Sequence, residues 1–344
     1  MSTAARREKH DLLIVGGGSF ATALATVLCE RKRRVLMWTR REEQAREINQ
    51  QHTNSRYMRG FELLPNLKAT ADLARAAAST RVLLLVVPSK AFRQVARLVG
   101  DVVRGDQVLV HATKGLELDS FKRMSQVLRE ETCALKIGAL SGPNLAREIM
   151  AGHPSGALLA SRYDEVAEAL QPLFSGTRMR VYSGRDVIGT EIAGAFKNIV
   201  AIAAGVADGM GLGDNTKALL VTRGLSEMAR FGVALGADVF TFGGLAGVGD
   251  LMATCASRLS RNHQVGERLA GGEKLDDILA SMTEVAEGVP TSRAVYGQAQ
   301  RLGLQLPIVR AVHGLLHEGW NCNEALTRLM SLPTDRELAA LRFR

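Results

Sequence analysis

The chain has 344 residues, long enough for two domains, and 46% of them are hydrophobic, as an ordinary buried core requires. Its net charge of +9 and isoelectric point near 9.7 suit anionic metabolites or nucleic acid. No block of like charge, basic–aromatic stripe, helix-turn-helix or zinc spacing accompanies that charge, so nucleic acid is not the expected partner.

Residues 1–10 read as a tail. They carry Arg6, Arg7, Glu8 and Lys9 and lack the apolar stretch of a signal peptide. The four apolar residues Leu12–Val15 predict a buried strand, and Gly16, Gly17 and Gly18 follow it into a helix-compatible run from Ser19. Gly16-x-Gly18-x-x-Ala21 is the dinucleotide fingerprint in its Gly/Ala form. The first glycine permits the tight turn, and the second lets backbone approach a pyrophosphate. The small third residue lets the helix pack on the strand. The anion then sits at a helix N-terminus, where free N–H groups and the helix dipole favour it. A glycine-rich turn without a ligand fits the same residues.

Further strands are predicted at 34–39, 67–70, 81–88, 107–112, 137–141, 156–160 and 179–182, completing an eight-stranded sheet. The run 81–88 is apolar throughout, as an interior parallel strand should be, and Ser89 suits the cap of the next helix. Strand–helix alternation stops near Asp186. Helical periods then cover roughly 189–207, 214–235, 261–270, 275–281, 290–302, 305–316 and 322–330. The apolar run Ile192 to Ala207 carries Lys197 and is too short to span a bilayer, so it reads as a core helix. The expected architecture is a doubly wound Rossmann-type α/β domain over 11–187 and an all-α domain over 188–344. Cys29, Cys133, Cys255 and Cys322 are scattered without a C-x-x-C pair, which predicts reduced, mostly buried thiols of a cytoplasmic protein. No metal-ligand spacing is present in the sequence, and no metal is expected.

The second strand of an NAD-binding unit usually ends in an acid that holds the ribose hydroxyls. Here Arg40 and Arg41 stand there instead. Guanidinium forks suit the 2′-phosphate of NADP, so NADP(H) is the expected cofactor and NAD(H) the alternative; a pair of solvated arginines is the plainer reading. Gly194, Lys197 and Ala201 share one helix face, and small residues there admit the close approach of another body such as a cofactor. A lysine so placed resists full charging and is a candidate acid/base, although a lysine snorkelling out of a core helix fits too. The run 243–250 is a second glycine-rich turn that ends in Asp250. Ser260, Arg261 and Asn262 open a helix and make either a phosphate seat or a plain cap. Glu284 and Glu287 suit hydrogen bonds to nicotinamide or ribose, or a cap.

With these residues in place the chain resembles the soluble, bacterial-type NAD(P)-dependent glycerol-3-phosphate dehydrogenases. The resemblance runs from about Asp11 to about Leu329. Its carriers are Gly16–Ala21, Val87–Ser89, Ala112–Glu117, Ser141–Pro143, Ala193–Asn198, Gly247–Asp250, Leu259–Asn262 and Glu284–Gly288, in the family's order. It implies a helical domain of the 6-phosphogluconate dehydrogenase C-terminal type. It implies that Lys197 transfers the proton and that Lys114 binds substrate beside the nicotinamide. Gly142, Asn144, Asp250, Ser260, Arg261 and Asn262 match substrate positions, with Arg261 also touching cofactor. Gly16, Gly18, Ser19, Phe20, Ala21, Arg40, Ala146, Val285 and Glu287 match cofactor positions. Two residues depart from the family: Ala21 replaces the usual glycine, and Asn144 replaces a hydroxyl residue. The implied reaction is reversible reduction of dihydroxyacetone phosphate to sn-glycerol 3-phosphate, which supplies the glycerophospholipid backbone. The implied protein is a cytoplasmic homodimer without stable membrane insertion, and Phe231, Phe240 and Phe242 are candidates for the contact. The rival readings are a β-hydroxyacid or 6-phosphogluconate-type dehydrogenase and a non-catalytic dinucleotide sensor.

Overall fold

The computed structural model describes residues 10–333 except Thr283; the expected tail, His10 apart, lies outside the described residues. The first half is one sheet of β1 (Leu12–Val15), β2 (Val35–Trp38), β3 (Lys68–Thr70), β4 (Val82–Leu85), β5 (Val108–His111), β6 (Lys136–Ser141), β7 (Ser155–Ser161) and β8 (Met179–Gly184). Between them run α1 (Ser19–Cys29), α2 (Glu42–Gln51), α3 (Leu73–Ala78), α4 (Ser89–Gly100), α5 (Met124–Glu131), α6 (Ala146–Met150) and α7 (Asp164–Phe174). The second half holds α8 (Val187–Gly209), α9 (Asp214–Ala234), α10 (Asp250–Ala256) and α11 (Arg261–Ala270). It ends with α12 (Leu275–Ser281), α13 (Gly288–Arg301), α14 (Pro307–His317) and α15 (Cys322–Met330). This is the expected Rossmann-type sheet followed by helices.

The strand order is β3-β2-β1-β4-β5-β6-β7-β8. Every neighbouring pair is parallel except β6 and β7, whose antiparallel pairing the sequence pattern does not disclose. β1 lies between β2 and β4, so the chain leaves its carboxyl end in one direction and returns in the other. That switch point opens a crevice beyond β1 and β4.

Alternate residues of each inner strand feed opposite faces of the sheet. Leu12 and Ile14 pack with Leu24 and Leu28 of α1. Leu13 and Val15 pack with Phe92 and Val95 of α4. Each such side chain, fully buried, contributes about 1.5–3 kcal/mol. This two-sided burial is why β1, β4 and β5 are apolar at nearly every position.

A third core surrounds α8, where Ile192, Phe196, Ile199 and Val200 meet Phe231, Val265 and Val312. The helix has 23 residues, more than the apolar run suggested, so shortness does not set it apart from a membrane span. Burial does: 89% of its most apolar window lies inside the protein. Phe231 and Phe242 are buried, and Phe240 alone of the three is exposed. Cys133 is exposed and Cys322 half-buried, so only Cys29 and Cys255 fit the expectation of buried thiols.

Candidate active site

Gly16 follows β1 with a φ of +135°, and a Cβ there would stand 2.2 Å from the Val86 carbonyl oxygen after β4. The glycine is therefore demanded by the closeness of the two strand ends. Gly18 differs: a Cβ there would meet nothing within 4 Å. The turn opens outward at Gly18, and α1 begins with no side-chain cap on its first N–H groups. Ala21 is fully buried against the sheet. An open backbone cradle with uncapped donors at the switch point fits a pyrophosphate, and these residues would hold a dinucleotide. Arg40 is exposed after β2 and has no ion pair among the described residues. Arg41 precedes α2.

The carboxyl edge of the sheet also carries Lys114, three residues beyond β5, and Gly142, directly after β6. The Lys114 ammonium donates to the Gly142 carbonyl at 2.8 Å and to Asp250 Oδ2 at 2.7 Å. Its Nζ lies 5.8 Å from the centre of the Phe20 ring. Lys197 Nζ, on α8, donates to Asp250 Oδ1 at 2.5 Å and to Thr254 Oγ1 at 2.7 Å. One carboxylate thus bridges two ammoniums, and its side chain is 1% exposed. Burial drives the Lys197 pKa down to about 7; the opposite charge of Asp250 resists the shift and the like charge of Lys114 adds to it. Burial is the largest cause, in keeping with a lysine set in a core helix.

Several expectations are corrected. The glycine-rich turn 243–250 reaches Asp250 as expected but does not stop there. A 3₁₀ turn (Val239–Gly243) and a π turn (Leu245–Gly249) lead straight into α10, and Asp250 is its first residue. Thr254, missed in the sequence, lies four residues on, one turn along the same face. The small face of α8 is filled by protein: a Cβ on Gly194 would meet Ser141 Oγ at 2.8 Å and Lys114 Cγ at 3.5 Å, and Ala201 is fully buried. Ser89 is not a cap. It is the first residue of α4, and both its N–H, at 2.9 Å, and its hydroxyl donate to Glu287. Burial pushes the Glu287 carboxyl up, against those hydrogen bonds.

The start of α11 is committed to the protein. Ser260 Oγ accepts from His263 N at 3.3 Å as an N-cap. Arg261 pairs with Glu284 at 3.1 Å and also donates to the Val285 carbonyl. Glu284 in turn accepts from the Ser19 hydroxyl. Asn262 Nδ2 donates to Asn198 Oδ1 at 2.9 Å, and Asn262 Oδ1 accepts from Gly288 N at 2.8 Å. Asn198 reaches on to the Lys114 carbonyl at 3.4 Å, so the α11 start and the lysine cluster share one hydrogen-bond chain. Asn144 Nδ2 is held by the Gly156 carbonyl at 2.8 Å. Ala146 begins α6 and is packed against the α1 side of the sheet, as is Phe20. Ser141 Oγ is buried without a hydrogen-bond partner among the described residues, beside Gly194 and the Lys114 stem. The sequence places Ser141 at this edge of the sheet but assigns its hydroxyl no role.

A doubly wound sheet with an open glycine cradle, joined to a helical half through a lysine–aspartate–lysine cluster, defines a dinucleotide-dependent oxidoreductase of two-part build. Comparison with known proteins narrows the class. Residues 11–167 match the N-terminal model, and 186–327 the C-terminal model, of NAD-dependent glycerol-3-phosphate dehydrogenase. The chain belongs to that family. It is 42% identical over 327 residues to the glycerol-3-phosphate dehydrogenase [NAD(P)+] of Macrococcus caseolyticus, covering 94% of this chain and 98% of that one. It is 43% identical over 323 residues to the enzyme of the same name in Azotobacter vinelandii, covering 94% and 95%. The crystal structure of glycerol-3-phosphate dehydrogenase from Coxiella burnetii superposes with a TM-score of 0.90 at 34% identity, covering 94% of this chain and 99% of that one.

Proposed function

We propose that this chain reduces dihydroxyacetone phosphate reversibly to sn-glycerol 3-phosphate with NADP(H) as preferred cofactor and NAD(H) as the alternative. The observation that carries the reading is the Lys114–Asp250–Lys197 cluster, which sits where the sheet edge meets the helical half. Gly16, Gly18, Ser19, Phe20 and Ala21 hold the dinucleotide, with Ala146, Val285 and Glu287 along its length. Arg40 and Arg41 face the 2′-phosphate, and the exposed, unpaired Arg40 supports this. When bound, the nicotinamide supplies the hydride in reduction and takes it in oxidation.

The chain's own residues do the rest. Ser260, Arg261 and Asn262, with Gly142 and Asn144, seat the substrate phosphate and backbone. Arg261 leaves Glu284 for the stronger anion. Lys114 holds the carbonyl end by its ammonium. Lys197, with a pKa of about 7, gives its proton to the carbonyl oxygen as negative charge develops there, and the neutral amine is the base in oxidation. Asp250 and Thr254 orient that ammonium.

The same reading makes the protein a cytoplasmic homodimer that supplies glycerophospholipid precursor, with exposed Phe240 a candidate contact. The test is steady-state oxidation of NADPH and of NADH with dihydroxyacetone phosphate against a panel of keto acids. Turnover confined to the phosphate ester is expected. Turnover on keto acids alone points to a β-hydroxyacid or 6-phosphogluconate-type enzyme, and cofactor binding without turnover to a sensor.

A further inference from the structure

One buried charge lies outside the chemistry described so far. Glu191 is in the second turn of α8, and its side chain is 2% exposed. Four groups converge on its carboxylate. Arg123 Nη1 donates at 2.5 Å, Ser125 N at 2.7 Å and Ser125 Oγ at 2.6 Å, and His111 Nε2 lies at 3.1 Å. Burial alone would raise this carboxyl, but His111, Arg123 and Ser125 together hold it at about 2. It therefore stays charged throughout the neutral range.

The partners have meaning in chain order. His111 ends β5, and Arg123 precedes α5. Between them runs the excursion 112–122, which carries Lys114. The excursion is closed on itself by the bridge of Leu116 to Arg123 and by the bond from Glu117 N to the Lys122 carbonyl at 2.9 Å. One carboxylate thus grips the entry and the exit of the segment that presents Lys114. The same helix face continues the relation. Gly194, three residues on, lets the Lys114 stem lie against α8, and Lys197, three further, meets Asp250. Residues three apart on a helix stand about one turn, roughly 4.5 Å, apart along its axis.

We infer that Glu191 is a positioning residue for the reaction: by tying both ends of the Lys114 segment to α8, it fixes the place of the Lys114 ammonium relative to Lys197. This rests on the reading of Lys114 and Lys197 given above. The charged groups that face Lys197 are Asp250 from α10 and Lys114 from the excursion, with the Cys255 thiol of α10 near it. The groups that face Glu191 are the Arg123 guanidinium and the His111 imidazole. The like charge of Lys114 is one of the causes that lower the Lys197 pKa. Slackening the tie lets Lys114 move off, and the Lys197 break then moves to higher pH.

The experiment compares Glu191→Gln, which keeps the shape and one acceptor oxygen, with the wild-type protein. The value of kcat/KM for dihydroxyacetone phosphate is followed from pH 5.5 to 9.5, and NADPH affinity is taken from the change in cofactor fluorescence. Expected are a fall in kcat/KM of about tenfold, an upward shift of the break by about half a pH unit or more, and NADPH affinity within about twofold of wild type. Ser125→Ala and Arg123→Gln release the same tie from the other side and report if Glu191→Gln does not fold; they should move the break in the same direction. Leu170→Ala, a cavity beneath α7 in the core on the other face of the sheet from α5, controls for destabilisation and should leave the break in place. Folded cluster variants whose break and KM coincide with wild type overturn the inference, whatever their thermal stability. A wild-type protein that does not turn over dihydroxyacetone phosphate instead overturns the functional reading itself.

Discussion

Replacing Asp250 by asparagine removes the one negative charge between two ammoniums while keeping the shape of the side chain. Asp250 Oδ1 lies 2.5 Å from Lys197 Nζ, and Oδ2 lies 2.7 Å from Lys114 Nζ. Unit charges about 4 Å apart at an effective dielectric of 20 attract by about 4 kcal/mol. At 1.36 kcal/mol per unit that corresponds to about 3 pKa units. Burial and Lys114 then act on Lys197 unopposed, so its pKa falls from about 7 into the range of about 4–5. At pH 7 the protonated fraction drops on the order of a hundredfold or more, and kcat/KM for reduction drops with it. The assay records NADPH oxidation with dihydroxyacetone phosphate and the reverse reaction with sn-glycerol 3-phosphate, both from pH 5 to 9. Reduction falls above the Lys197 pKa and oxidation falls below it, so in the asparagine variant both breaks should move to lower pH together. A break that stays within about half a unit of wild type in a folded variant would falsify the assignment of Lys197 as the group held by Asp250.

Lys197→Ala should cost at least a hundredfold in turnover, the lower end for loss of a general acid, while NADPH still binds by fluorescence titration; near-normal turnover removes Lys197 from the mechanism. Arg40→Asp should lower the ratio of kcat/KM for NADPH over NADH by more than tenfold, and an unchanged ratio means that Arg40 does not read the 2′-phosphate. Gly18→Ala should weaken NADPH binding and leave the midpoint of thermal unfolding unmoved, because its Cβ meets no protein atom, whereas Gly16→Ala collides with the Val86 carbonyl and should lower the midpoint; equal effects on both would sink the distinction. Glu227 supplies the test of pH-dependent stability. Burial raises its pKa from 4.5 to about 7, against the hydrogen bonds from Ile308 N and Val309 N at the start of α14. The native state therefore binds the extra proton, and the contribution is complete below pH 4.5 and lost as pH rises through about 7. Relative to Glu227→Gln, the wild-type protein should lose about 1–3 kcal/mol in urea unfolding between pH 5 and pH 8; parallel curves contradict it.

The sheet was legible because its strands obey one rule. β1, β4 and β5 are covered on both faces, so they are apolar at nearly every position and stand out without alternation. The antiparallel pairing of β6 and β7 was not legible, since strand direction follows from how the chain returns. α10 escaped for a different reason. The glycines of 243–249 have poor helix propensity, yet the chain winds through 3₁₀ and π turns directly into the helix, and a Cβ on Gly247 would stand 2.1 Å from the Phe242 carbonyl oxygen. The identities of Lys114, Lys197 and Asp250 could be read, but the carboxylate bridge is a contact across 136 and 53 positions of the chain. Ser89 shows the limit of local reasoning. Its place before a helix suggested a cap, and a glutamate 198 residues away takes its hydroxyl instead. Ser260 is the converse: the cap was local, and it formed.

The charge of the cluster explains why a single carboxylate stands between two lysines. Lys114, Asp250 and protonated Lys197 together carry one net positive charge in a nearly water-free place. A substrate carbonyl is neutral and gains little from that charge. The same oxygen gains negative charge as hydride arrives at carbon, and the attraction grows with it, so the stabilisation falls on the transition state rather than on the bound ketone. In the proposed mechanism, proton transfer from Lys197 then leaves Lys114 and Asp250 as a neutral pair, which a buried site tolerates better than any charged arrangement. Without Asp250, burial and the like charge of Lys114 would strip the proton from Lys197 before substrate arrived. With a second acid, the resting cluster would already be neutral and would not favour the developing oxyanion. The spacing that achieves this lies in two helices, with Lys197 on α8 facing Asp250 and Thr254 one turn apart on α10, while Lys114 alone comes from the excursion after β5. The like charge that Lys197 feels is therefore set by where that excursion places Lys114.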